Sequence, residues 1–157
     1  MRYKPELFDI SWCRFPYESH PSSPGPKARP CLVIGVEELV DGSTAVLVAY
    51  GTTKKGRTPY SVVVDDSAGR SLAWKDSGLL EPTAFCLDRI ARLPYDKRHF
   101  PDVPTMRSRP ALDHCRMGVA HQTVRRDIAA TLRLMRENGL GLETTFDSVS
   151  KRVPRIC

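Results

Sequence analysis

Arg29 and the pair Thr52-Thr53 carry side chains suited to phosphate chemistry: one charged fork of N–H donors and two neutral hydroxyls. They bracket two apolar, β-branched runs, Cys31–Val36 and Ala45–Tyr50, joined at Asp41-Gly42-Ser43. A hairpin sets the start of its first strand beside the end of its second. The spacing therefore predicts that Arg29 and the threonines meet at one end of a sheet, where a guanidinium and a hydroxyl suit a phosphate. Lys27 precedes Arg29, and Lys54, Lys55 and Arg57 follow Thr53. These four would hold further phosphates, and a solvated basic turn is the plainer reading of the last three. His20 lies in the loop before the hairpin. With a free pKa of about 6.5 it would act as a general base if that loop folds over the site, and is otherwise a solvated loop histidine.

The elements that must position these residues are short strands. Phe8–Phe15 alternates Phe8, Ile10 and Trp12 with Asp9, Ser11 and Cys13, the pattern of a half-buried strand. Pro16–Pro26 is a proline-rich loop. The two hairpin strands are almost continuously apolar and predict cover on both faces. Tyr60–Val64 is a further strand, Gly69–Lys75 a short helical turn, and Phe85–Leu93 another strand with Phe85, Leu87 and Ala91 or Leu93 inward. Pro94–Pro110 reads as a proline-stiffened connector and Ala111–Val119 as a candidate edge strand. From His121 the period becomes helical, with Val124, Ile128, Leu132 and Met135 on one face and Asn138-Gly139 as the stop. Gly141–Cys157 is weakly periodic, ends in the basic KRVPR, and reads as a mobile tail.

Strands with Pro/Gly turns, closed by one amphipathic helix, predict a mainly β (α+β) fold: a small, partly open antiparallel barrel. Residues 1–93 would form the barrel. Residues 94–157 would be a connector, helix and basic tail packed on or appended to the same domain. With 157 residues, 41% of them hydrophobic, and a mean hydropathy of -0.33, the chain has the composition of a soluble globular protein. No apolar run approaches the roughly 20 residues a membrane-spanning helix needs. Pro5, Glu6 and Asp9 interrupt the N-terminus, which does not read as a signal peptide, and the expected location is the cytoplasm. Five cysteines without a CxxC pair read as buried thiols in a reducing compartment, so no metal or other cofactor is expected. Residues 1–96 hold 12 basic and 12 acidic side chains, whereas residues 97–157 hold 12 and 6, so the net charge of +6 belongs to the C-terminal part.

DISWCRFP, then a loop, KARPCLVIGV and VLVAYGTTKKGRTPYSVVV resemble, in order and spacing over about residues 8–93, the MazF/PemK (Kid) family of toxin endoribonucleases. The resemblance implies an SH3-like barrel, a homodimer, metal-independent cleavage of single-stranded RNA at short sequences, and inhibition by a cognate antitoxin. It places the family's catalytic arginine on Arg29 and its threonine on Thr52, with Thr53 as the alternative register. Phe8 stands where the family commonly has glycine, Arg14 where it often has an acid, and the first loop is proline-rich rather than Gly/Glu-rich.

In such a site the 2′-oxygen is the nucleophile, Arg29 faces the nonbridging oxygens, and Thr52 donates a hydrogen bond to one of them. An arginine, with its pKa above about 12, is better suited to stabilising the leaving group than to acting as base. Lys27, Lys54, Lys55 and Arg57 would line the RNA path, and Tyr60 or Trp12 would stack a base or simply pack in the core. Arg125, Arg126, Arg133 and Arg136 would meet RNA, an acidic antitoxin segment or water. His99, His114 and His121 read as structural. Two further readings share the scaffold: an inactive module that binds nucleic acid or a protein, and a gyrase-poisoning toxin of the CcdB type, which the Arg-Pro…Thr pattern disfavours.

Overall fold

Alternation and burial turn these runs into one sheet. The computed structural model describes residues 4–17, 20, 23–53, 58–104, 114–142 and 144–149. The strands are β1 (Asp9–Cys13), β2 (Arg29–Glu38), β3 (Thr44–Thr52), β4 (Ser61–Val64), β5 (Thr83–Pro94), β6 (Arg116–Val119) and β7 (Thr144–Asp147). The helices are α1 (Ser71–Ser77) and α2 (Gln122–Glu137). The sheet runs β4-β5-β3-β2-β1-β6 with antiparallel neighbours, a curled half-barrel, and β7 adds to β5 in parallel. Among the described residues no helix is long and apolar enough to cross a membrane.

The central strand β3 has its apolar run covered on both sides, since Ala45, Val46, Val48 and Ala49 are all fully buried. Leu32 and Ala49 join Ile10, Phe85 and Leu87 in one cluster, which receives Val124, Ile128 and Met135 from α2. Cys31, Val33, Val46 and Val48 join Phe15, Phe100 and Phe146 in the other. The cores lie on opposite faces of the same strands, which is why these strands lack simple alternation.

One irregularity in β5 matters for the site. Ala49 pairs with Ile90, but the next residue, Tyr50, pairs with Cys86, leaving Leu87, Asp88 and Arg89 as a bulge. The bulge bends β5 so that its first half pairs with β4 and its second with β7. It also exchanges the faces: Phe85 and Leu87 enter the first cluster, whereas Ala91 and Leu93 enter the second. Phe85, Leu87, Ala91 and Leu93 are thus all buried, as expected, but the bulge sends the last two into the other core.

Residues beyond Pro94 complete the same sheet. β6 pairs with β1 at the edge, within the predicted Ala111–Val119 segment, of which 111–113 lie outside the described residues. α2 begins with His121, whose side chain accepts from Thr123 N, and ends where Gly139, at φ +77°, lets Leu140 N donate to Met135 O at 2.8 Å. The segment expected as tail instead contributes β7, anchored by Phe146 against Phe15 with ring centroids 5.4 Å apart. Its four residues bury one large side chain, too little to register as a period. KRVPR lies outside the described residues.

Phe8 holds φ at +71°, a conformation that costs a residue with a Cβ about 1–3 kcal/mol. Bonds from Phe8 N to Val33 O (2.8 Å) and from Ala120 N to Phe8 O (2.9 Å) keep it there. The next residue, Asp9, is buried and accepts from Glu6 N at 2.8 Å and from Arg116 Nε at 3.1 Å.

Candidate active site at the open end of the central hairpin

The site begins with a close approach of backbone. A Cβ on Gly51 would run into the carbonyl oxygen of Pro30, so only glycine lets β3 lie this near β2. Cys31 pairs with Tyr50 on the same ladder. Two residues further along each strand, that register sets Arg29 across from Thr52, on the face that also carries Tyr50. The predicted convergence of Arg29 with the end of β3 is what the fold delivers.

Arg29 is half-buried, and its Nη1 donates to Tyr50 Oη at 2.6 Å. Its guanidinium carbon lies 5.4 Å from the Tyr50 ring centre. The guanidinium carbon of Arg89, delivered by the β5 bulge, lies 4.7 Å from the same ring. Phe15 packs edge-on against Tyr50 with centroids 5.1 Å apart, so the aromatic hub is held from behind. Two cations on one partly desolvated phenol repel each other, and an anion arriving beside them is stabilised by both.

Thr52 closes β3 opposite Ala84 and is 7% exposed. Thr53, one residue on, is exposed. Together with Lys27, Arg29, Pro30 and Gly51 it lines a cavity of about 360 Å³ whose other walls include Trp12, Leu79, Glu81 and Met117. The geometry thus puts Thr52 across the ladder from Arg29 and Thr53 on the open cavity beside it. His20 is exposed in the proline loop, where its N donates to Tyr17 O at 3.0 Å, and it does not line this cavity. Lys54, Lys55 and Arg57 lie outside the described residues.

A second, basic cleft of about 420 Å³ adjoins the loop, between Arg14, Ser23–Pro26, Lys97 and Arg98. Gly25 N donates to Arg14 O at 3.2 Å, which folds the loop back onto the end of β1. Since Cys13 pairs with Arg29, Arg14 is one residue from the site's cross-strand neighbour.

Remaining titratable groups serve the scaffold. Cys13, Cys31, Cys86 and Cys115 are buried thiols. Burial, the Cys31 thiol and the nearby Cys115 push the Cys13 thiol well above its ordinary pKa, which makes it a poor nucleophile. His99 is buried with Nδ1 2.8 Å from Asp96 Oδ1, and His121 caps α2. Among the described residues no three His, Cys, Asp or Glu side chains gather as a metal-ligand set. Sequence reasoning missed Tyr50 and Arg89. Tyr50 was legible as the residue two before Thr52 on the same face, but Arg89 reaches the site only through a bulge that no local signal announces. No family model matches the chain, and no protein of curated function matches it.

Proposed function

We propose that this chain is a MazF/PemK-like, SH3-like-barrel toxin: an endoribonuclease that cleaves single-stranded RNA at short sequences without a metal. The observation that carries the reading is the Arg29 guanidinium, fixed on Tyr50 at 2.6 Å on the strand end where Thr52 and Thr53 stand. Phe8 adds support, because it holds a positive φ at the position where the family commonly has glycine.

In the reaction the 2′-oxygen attacks the adjacent phosphorus, the P–O5′ bond breaks, and the products are a 2′,3′-cyclic phosphate and a 5′-hydroxyl. Water takes the proton from the 2′-oxygen and returns one to the 5′-oxygen, so the step balances without a side-chain base. Arg29, with Arg89 against the same ring, stabilises the charge that builds on the nonbridging oxygens. A threonine hydroxyl donates the neutral hydrogen bond. Lys27 and the basic turn at Lys54, Lys55 and Arg57 steer the flanking phosphates. The working form under this reading is a cytoplasmic homodimer silenced by an antitoxin protein.

The burial of Thr52 favours one alternative, a module on the same scaffold that binds nucleic acid or a protein without turnover. Incubation with unstructured RNA in excess chelator separates the two. Discrete fragments ending in cyclic phosphate, lost in Arg29→Ala, support the enzyme; retention of intact RNA by both proteins removes it. Thr52→Ala and Thr53→Ala side by side assign the hydroxyl, since only the variant lacking the catalytic one loses turnover.

A further inference from the structure

We propose that the cavity beside Arg29 is a nucleobase subsite selective for guanine, with Trp12 holding the ring and the Glu81 carboxylate reading its Watson–Crick edge. The inference rests on the ribonuclease reading for the phosphate at Arg29. It adds which base that phosphate brings with it.

The cavity's size and walls suit a base. Its volume of about 360 Å³ is walled by Trp12, Leu79 and Met117, with Lys27, Arg29, Thr53, Glu81 and Thr83 as its polar members. Apolar walls with a few convergent polar groups characterise a small-ligand site. Trp12 pairs with Pro30 across β1 and β2, and its backbone N donates to Cys115 O at 2.8 Å, so the indole is carried on a pinned strand. A half-buried tryptophan held this way offers a rigid stacking surface for any base.

Selectivity comes from Glu81. It is exposed, sits just ahead of β5, and has its backbone oxygen tied to Thr83 Oγ1 at 3.0 Å. β5 and β2 are separated by β3, and Ala84 pairs with Thr52, so Glu81 lies two strand spacings across from Arg29 and three residues further along, roughly 14 Å between backbones, which leaves room for a nucleotide from phosphate to base edge. A carboxylate accepts and cannot donate. Guanine alone presents two neighbouring N–H donors, N1–H and N2–H, to its two oxygens. Uracil offers one donor, and adenine and cytosine set a ring-nitrogen lone pair against the carboxylate.

The chain has two tryptophans, so Trp74→Phe leaves Trp12 as the sole indole of the full-length protein. In that background, guanosine 5′-monophosphate is expected to quench the fluorescence saturably and to bind at least about 5-fold tighter than the adenosine, cytidine and uridine monophosphates. Inosine monophosphate, lacking the 2-amino group, should lose most of that advantage. Glu81→Gln should abolish the preference while leaving the quenching. A parallel cleavage assay uses oligonucleotides in which a single guanine is moved along an otherwise fixed sequence. Cleavage that follows the guanine, and stops following it in E81Q, supports the subsite. Cleavage with equal or absent quenching by all four nucleotides overturns the guanine pocket and leaves the nuclease standing. Guanine-selective quenching without any cleavage overturns the nuclease and leaves the pocket.

Discussion

The two ends of the β2–β3 hairpin are built by opposite means. At the turn end everything is local: Leu39 N donates to Ser43 O at 2.8 Å, Asp41 Oδ1 accepts from Ser43 N at 3.0 Å, and Gly42 takes φ +84°. Residues 39–43 satisfy one another, and nothing distant is needed. At the open end the partners come from four separate segments: Arg29 from β2, Tyr50 from β3, Arg89 from the β5 bulge and Trp12 from β1. The turn holds strand register, whereas the open end brings like charges together around Tyr50, beside a cavity with largely apolar walls. That arrangement is costly for folding alone and useful for an anionic ligand.

The contrast can be broken at several points. Under the proposed nuclease reading, Arg29→Ala should lower RNA cleavage by about 10²–10³-fold with an unchanged circular dichroism spectrum, because it would remove a transition-state contact and no core volume. Equal loss of folded signal would recast Arg29 as structural. Gly51→Ala should destabilise the protein by about 1–3 kcal/mol, since its methyl group meets the Pro30 carbonyl. Thermal melting would then fall by roughly 3–10 °C, and an unchanged Tm would show that the strands separate freely.

A smaller effect is expected at Arg89. Arg89→Ala should weaken RNA binding and reduce the slope of log affinity against log salt by about 0.7, the loss of one phosphate contact to a single strand. An unchanged slope would mean that Arg89 serves Tyr50 and not the ligand.

The turn end should respond least. The Ser43 hydroxyl and amide hold the Asp41 carboxylate below its ordinary pKa. Its stabilising contribution is present above the free value of about 3.9 and is lost as pH falls through the lowered one. Asp41→Asn should therefore leave cleavage at neutral pH unchanged, and its stability should converge with that of the parent only in acid. A loss of activity at pH 7 would show that the two ends communicate.

Several features were legible because their causes are local or periodic. The hairpin, its turn, the apolar strands, the face of α2 and its Asn138-Gly139 stop each depend on residues a few places apart. The meeting of Arg29 with the end of β3 followed from antiparallel geometry alone. Other features were not legible, because they depend on what the rest of the chain supplies. The bulge at Leu87–Arg89 exchanges the faces of β5 without any glycine or proline to mark it. Thr144–Asp147 becomes a strand only because β5 offers an unpaired edge and Phe15 a surface for Phe146.

Residue types and their spacing alone determined that a guanidinium and hydroxyls would share one strand end, since a hairpin leaves no other place for them. Tertiary structure decided what surrounds them: Tyr50 and Arg89 against the guanidinium, Thr53 rather than Thr52 on the open cavity, Trp12 and Glu81 along its walls. Pairing is set by neighbours along the chain. The depth and lining of a cavity depend on how a curled sheet closes, which no single segment contains.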